Sequence, residues 1–283
     1  MQLLLIVVGW LVVLVSPAAA ESYIDKIYAQ MKAALEPDRT CTREIQMVIS
    51  ASQGDSVRWM ARQARKRLPN GPRTLTVFLA PEAVKGLAVL VHERTDKPNA
   101  ESVYLPNVRR VRKFDDLGRF EPFFNTDFTY ADMGVLTVGN HTLKLYPAEK
   151  HFSQRTYKVE EVLREKSPYG RIVTWITVDS LLPLERDFYD HTDTVWKVET
   201  FIDIAPIDGV PTPQRIHMED KQAGTSSEIQ FANIHYNVDI PDSIFDLSRL
   251  SQVVDQPFWY PAAVPSPPAA AAPAATAAAP PHP

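Results

Sequence analysis

The fold is read from Arg171-Ile172-Val173-Thr174-Trp175-Ile176-Thr177-Val178 and, five residues on, Leu184-Glu185-Arg186-Asp187-Phe188-Tyr189. β-Branched and aromatic side chains dominate the first run and close the second. Neither run contains Gly or Pro, and the turn signal Ser167-Pro168-Tyr169-Gly170 precedes the pair, which is the pattern of successive strands. Similar segments lie on both sides. Downstream are Val195–Ala205, Gln214–Lys221 and Ser227–Tyr236, with Asp208-Gly209 as a turn; upstream are Tyr157–Arg164, Leu143–Tyr146 and Ser102–Leu105. Further upstream the apolar residues recur at every second position: Ile45, Met47 and Ile49, then Leu75, Val77 and Leu79, then Leu87, Val89 and Val91. Val48, Phe78 and Leu90 fall between them and point to burial on both faces. Regularly spaced strands with short turns describe an antiparallel meander. Val57–Leu68 reads either way, its Ala, Met and Arg suiting a helix and its position suiting a strand.

The amino-terminal end is of another kind. Residues 3–15 are an apolar run, shorter than the roughly 20 residues that span a bilayer, and Ser16-Pro17-Ala18-Ala19-Ala20 follows it. We read residues 1–20 as a secretion signal cleaved after Ala20, which places the protein in the periplasm; the n-region, Met1-Gln2, lacks Lys and Arg, and an uncleaved anchor is the other reading. Beyond it Ile24, Ile27, Tyr28, Met31 and Leu35 recur at spacings of three and four, one apolar stripe on a helix that Pro37 stops. Residues 21–260 form a single domain, large enough to fold without disulfides, which the lone Cys41 could not supply. Residues 261–283, almost wholly Ala and Pro, have no apolar periodicity and read as a disordered tail. A net charge of −4 gives no general attraction to nucleic acid.

No catalytic constellation is legible. The sequence has no Gly-x-Ser-x-Gly elbow, no Gly-rich phosphate loop and no His-Glu-x-x-His, so we expect neither enzyme nor cofactor nor metal. Cys41, in Thr-Cys-Thr at a strand start, is more commonly a small buried hydrophobe than a nucleophile. Asp190-His191-Thr192-Asp193 and His217-Met218-Glu219-Asp220 lack a ligand spacing, and solvated turn or outer-face positions account for both.

Apolar bulk, by contrast, is abundant. Ile45, Met47, Ile49, Phe78, Trp175, Phe188, Trp196, Phe201 and Phe231 lie on the strands, and alternation alone cannot separate a filled core from a lipid-binding cavity in a curved sheet. The energetics favour a carrier: at about 0.8 kcal/mol per methylene, a ~16-carbon chain left in water costs on the order of 12 kcal/mol, and sheltering it requires no catalytic residue. Basic residues cluster at Arg58, Arg62, Arg65, Lys66 and Arg67, and again at Arg109, Arg110, Arg112 and Lys113. Each cluster suits either a solvated face or an anionic headgroup or acidic partner.

Tyr104-Leu105-Pro106-Asn107-Val108-Arg109-Arg110-Val111-Arg112, followed by Thr126-Asp127-Phe128-Thr129-Tyr130-Ala131-Asp132-Met133, resembles the outer-membrane lipoprotein-sorting protein family of LolA-like domains. That family has a YLP-x-x-R-R-V-R strand and an S-D-F-T-Y-E-D-L loop. The present loop departs at Thr126, Ala131 and Met133, and Ala131 loses a carboxylate. Asp179-Ser180-Leu181-Leu182-Pro183-Leu184, Gly209-Val210-Pro211-Thr212-Pro213 and Ile240-Pro241-Asp242-Ser243-Ile244-Phe245 extend the likeness over roughly Ile24 to Leu250. The resemblance implies an incomplete, strongly curved antiparallel barrel with a helical lid and an apolar cavity. It implies carriage of lipid or lipoprotein acyl chains by a monomer, beside an exporter of the resistance-nodulation-division type. A lipid-sensing regulator of the envelope is the other function open to such a scaffold. Within the loop we expect Phe128 and Tyr130 at the cavity mouth and Asp127 and Asp132 fixing the backbone.

Overall fold

The computed structural model describes residues 17–35, 37–50, 56–94, 100–113, 120–123, 125–133, 141–163 and 167–253, and of residues 17–22 and 133 the backbone alone. Residues 1–16, which hold most of the expected signal, and the tail 261–283 lie outside them. One long helix, α1 (Pro17–Leu35), precedes thirteen strands: β1 (Cys41–Ser50), β2 (Val57–Leu68), β3 (Gly71–Ala80), β4 (Ala88–His92), β5 (Ala100–Leu105), β6 (Arg110–Lys113), β7 (His141–His151), β8 (Gln154–Leu163), β9 (Arg171–Thr177), β10 (Pro183–Tyr189), β11 (Val195–Ile207), β12 (Val210–Asp220) and β13 (Thr225–Tyr236). The helical backbone is continuous across the expected cleavage position at Ala20. Among the described residues no helix is long and apolar enough to cross a membrane.

All thirteen strands pair antiparallel in one sheet, in the order β6-β5-β4-β3-β2-β1-β13-β12-β11-β10-β9-β8-β7. Hairpins build each half, and β1 pairing with β13 joins them, Ile45 opposite Phe231 and Met47 opposite Ile229. The sheet stays open, with β6 and β7 at its two ends. It is nonetheless strongly curved. Val103 on β5 and Ile172 on β9, far apart in strand order, share one apolar cluster with Ile45, Met47, Trp59, Phe78, Phe188, Met218 and Ile229. Val57–Leu68 is a strand because β1 and β3 satisfy its backbone from either side, and two ladders outweigh the weak helical preference of its Ala and Met.

Burial on both faces of β2 to β5 has a specific cause. Ala61, Phe78, Val89 and Val103 face the inner cluster, while Ala64, Leu75, Val77, Ala88, Leu90 and Tyr104 face outward. The carboxy-terminal segment covers that outer surface with Ile240, Ile244, Phe245, Leu250 and Val253. At the opposite end of the sheet, α1 lays Ile24, Ile27, Tyr28 and Met31 on Val159 and Ile176, so its apolar stripe is spent on β8 and β9. Tyr28 donates its hydroxyl to Glu161 Oε2 at 2.5 Å, fixing the helix to β8.

Candidate functional site

Between β6 and β7, residues 120–123 and 125–133 pack against the inner wall. Phe123, Phe128, Tyr130 and Ala131 are all buried in the inner cluster. Local chemistry holds the turn: the Thr129 amide donates to Asp132 Oδ2 at 2.7 Å, and the Asp132 amide donates to Thr129 Oγ1 at 3.1 Å. This reciprocal bonding is a capping box, with Thr129 before the short helical turn Tyr130–Met133 and Asp132 three residues on. Longer-range bonds dock it. Ser227 Oγ donates to Asp127 Oδ2 at 2.6 Å, Thr225 donates to Asp127 Oδ1, and Lys197 Nζ donates to the Asp127 carbonyl at 2.5 Å. Tyr169 donates its hydroxyl to Asp132 Oδ2 at 3.0 Å. Burial raises the Asp132 pKa against the opposing pull of Lys197 and the Thr129 and Tyr169 bonds, and burial also holds Tyr169 well above its ordinary range.

Beside this loop the inner wall opens into a cavity of about 80 Å³. By the measure in which one water needs roughly 10–15 Å³, it holds a handful of non-hydrogen atoms. The cavity opens to solvent at its mouth. Phe128, Phe201, Phe231, Ile216 and Ile229 supply apolar lining, and Arg186, Glu199 and Asp132 form a charged patch in it. Arg186 on β10 and Glu199 on β11 are cross-strand partners, with Nη1 3.2 Å from Oε2 and both side chains under a tenth exposed. The Arg186 guanidinium also lies 5.1 Å from the centre of the Phe201 ring. Burial pushes the Glu199 carboxyl up to about 7, with Arg186 opposing and Asp132 adding to the shift.

The residues expected to line a cavity are distributed unequally. Phe201 and Phe231 line the groove. Ile45, Met47, Phe78 and Phe188 share its wall of the sheet but are locked into the packed inner cluster, with Ile49 and Trp196 against it, and none of the six lines the groove. Trp175 faces the other way. Strand neighbours alternate, and Ile172, Thr174 and Ile176 take the inner face of β9. Trp175 therefore lies on the outer face, where it donates to Glu149 Oε1 at 2.7 Å and stacks on His151 at 4.5 Å between ring centres. Phe128 is deeper than a mouth position, being almost fully buried, and Tyr130 contacts Phe123 with ring centres 5.0 Å apart.

Arg110 and Arg112 lie on the edge strand β6 opposite Leu105 and Val103, and Arg109 occupies a left-handed position (φ 51°) before it. All three are exposed, beside the exposed Val108 and Val111. Of the two His-carboxylate groups the first is a surface turn, whereas Asp220 of the second is buried, contrary to the expected solvated position, and accepts from Trp196 Nε1 at 3.0 Å. Asp190 accepts from the amides of Thr192 and Thr194, closing a turn, and His191 bonds the Ser167 carbonyl at 2.9 Å. Cys41 is a buried thiol outside any disulfide. Among the described residues no group of three or more His, Cys, Asp or Glu side chains could hold a metal ion.

A family model described as "Uncharacterized protein" matches residues 71–252, well over half of the chain. Three solved structures share the architecture. An outer membrane lipoprotein-sorting protein domain from Vibrio parahaemolyticus is 22% identical, with 82% of this chain and 99% of that one covered at a TM-score of 0.75. A DUF1329 family protein from Desulfovibrio piger is 24% identical, with 81% and 98% covered at 0.75. A LolA superfamily protein from Nitrosomonas europaea is 18% identical, with 80% and 98% covered at 0.64. The chain belongs to the matched family and has the LolA-like fold.

No curated protein matches it by sequence. In this LolA-like chain the departure at position 131 has a structural reading, since Ala131 is buried in the inner cluster, where a carboxylate would need a partner. Arg186 and Glu199 are the site residues that sequence reasoning passed over. Their alternation with Leu184, Phe188 and Phe201 put them on the inner face, and a charged residue on the apolar face of a strand was the available signal.

Proposed function

We propose that the protein is an envelope carrier that shelters the acyl chain of a lipid or lipoprotein in the groove lined by Phe128, Phe201, Ile216, Ile229 and Phe231. The observation that carries this reading is a solvent-reaching groove on the inner face of an open curved sheet, one wall of it lined by Phe128, Phe201, Ile216, Ile229 and Phe231. The lipoprotein-sorting and LolA superfamily names of the proteins that share the fold support it, as does the apolar run at residues 3–15, which suits export. At about 0.8 kcal/mol per buried methylene, the part of a chain that enters gains several kcal/mol from the groove alone. Docking belongs to the β6 edge. Arg109, Arg110, Arg112 and Lys113 surround exposed Val108 and Val111, a combination that suits an anionic headgroup layer, and an exporter of the resistance-nodulation-division type is the partner to which cargo would pass.

Uptake of a radiolabelled acyl lipid from anionic vesicles, followed by delivery to acceptor vesicles, tests both parts. The wild-type protein should take up lipid faster at low salt than at high salt. Joint replacement of Arg109 and Arg110 by Ala should remove most of that salt dependence. Phe201→Asp, which places a carboxylate in the groove wall, should reduce retained lipid at least tenfold. Binding without any delivery would favour an envelope sensor, and no lipid binding at all would end the carrier reading.

A further inference from the structure

The groove has an apolar row with a cation beside it. Ile229 on β13, Ile216 on β12 and Phe201 on β11 stand opposite one another in register, so three adjacent strands present one apolar row to the groove. Phe231 lies two residues on from Ile229, and the Arg43 guanidinium is 4.1 Å from the centre of its ring. Arg43 belongs to the inner face of β1. It stands opposite Gln63 as Ile45 stands opposite Ala61 and Met47 opposite Trp59. The β1–β13 register shifts between Thr42 and Glu44, an irregularity of the kind that re-aims a side chain. Arg43 Nε donates to Gln63 Oε1 at 2.6 Å, and Gln63 Nε2 donates in turn to Thr76 Oγ1 at 2.9 Å. The ring and the amide thus hold the guanidinium in place, while the N–H donors of its two Nη atoms make no hydrogen bond among the described residues. No carboxylate of those residues pairs with Arg43 either. The two acids of the groove are engaged elsewhere: Glu199 faces Arg186 at 3.2 Å, and Asp132 accepts from the Thr129 amide and the Tyr169 hydroxyl.

We propose that Arg43 is a head subsite that takes the carboxylate of a free fatty acid, whose chain crosses the Phe231 ring onto the row of Ile229, Ile216 and Phe201. The inference rests on the carrier reading and names the class of ligand. With Nε committed to Gln63, the guanidinium offers the end formed by Nη1 and Nη2, whose parallel N–H groups match both oxygens of a planar carboxylate. The charges match as well, one cation meeting one anion. An esterified acid brings no charge to the subsite, and a phosphate monoester brings nearly two, which leaves negative charge uncompensated beside an apolar wall. Arg43 is half-buried, so the head keeps contact with water while the chain leaves it. Arg186, the other arginine of the groove, is already neutralised by Glu199.

Calorimetric titration with octanoate, methyl octanoate and octyl phosphate, matched in chain length, separates this inference from the reading beneath it. The wild-type protein should bind octanoate about tenfold more tightly than the ester, as expected for hydrogen bonds between charged groups. Arg43→Met keeps an apolar stem over Phe231 and removes the charge, and it should bind those two ligands with affinities within about threefold of each other. Carbon-13 spectra of octanoate labelled at its carboxyl give a second readout that needs no variant. Bound to the wild-type protein, the carboxyl should titrate at a lower pH than in water, because a facing cation favours its charged form, whereas an apolar wall alone would raise it. Equal wild-type affinities for acid and ester, or a bound carboxyl that titrates at or above its value in water, would overturn the subsite while leaving the carrier intact. Tighter binding of octyl phosphate than of octanoate would overturn the carboxylate in favour of a phosphate head. Failure of all three to bind would count against the carrier itself.

Discussion

Burial raises the Glu199 carboxyl to about 7 from an ordinary value of 4.5, so the folded protein holds a proton there that the unfolded chain has already released. Between those two values the native state binds more protons, and stability must fall as pH rises. The contribution is fully present below about pH 4.5 and is lost as pH passes through 7. At about 1.4 kcal/mol per pKa unit it is on the order of 3–4 kcal/mol, with Asp132 shifted in the same direction. Thermal unfolding should therefore give a higher midpoint near pH 5.5 than near pH 8, and Glu199→Gln should flatten that slope. An unchanged slope in the variant would show that Glu199 does not carry it. Nothing in the order of residues around Glu199 announces this behaviour. Its environment comes from Arg186 one strand away and Asp132 on a distant loop.

Among the elements, the segment from Phe123 to Asp132 depends most on contacts remote in sequence. The sequence led to the expectation that Asp127 and Asp132 fix the loop, made on its likeness to the LolA-like family's loop, but the reciprocal bonding of Thr129 and Asp132 emerged only in the structure. The segment's destination was not legible either, because Ser227, Thr225 and Lys197 lie between seventy and a hundred residues away. Asp127→Ala removes the acceptor of both hydroxyls and should destabilise the protein by about 1–3 kcal/mol in urea titration. The same change should speed amide exchange in residues 122–133 more than in β9 and β10, and uniform exchange across the three would contradict a local docking role. The helix α1 was easier to read. Its stripe of Ile24, Ile27, Tyr28 and Met31 is local, and it is buried against Val159 and Ile176.

For the whole molecule, the open sheet makes coverage of its faces the decisive matter. The outer face of β2 to β5 is closed by Ile240 to Val253, a segment without strand or long helix of its own. A chain ending at Val253 should keep the unfolding midpoint of the full chain within a few degrees. One ending before Ile240 exposes Leu75, Val77, Leu90 and Tyr104 and should aggregate or lose many degrees of stability. Equal midpoints for the two truncations would refute the covering role. The sequence by itself determined most of the strands, the antiparallel pairing of neighbours and the helix stripe, because periodicity and turn residues are local properties of the chain, while Val57–Leu68 needed the ladders of β1 and β3 to become a strand. Only the tertiary structure decided which apolar side chains fill the core and which line the groove. It also sent Trp175 to the outer face and set Arg186 against Glu199, because curvature brings together strands that sequence order keeps apart.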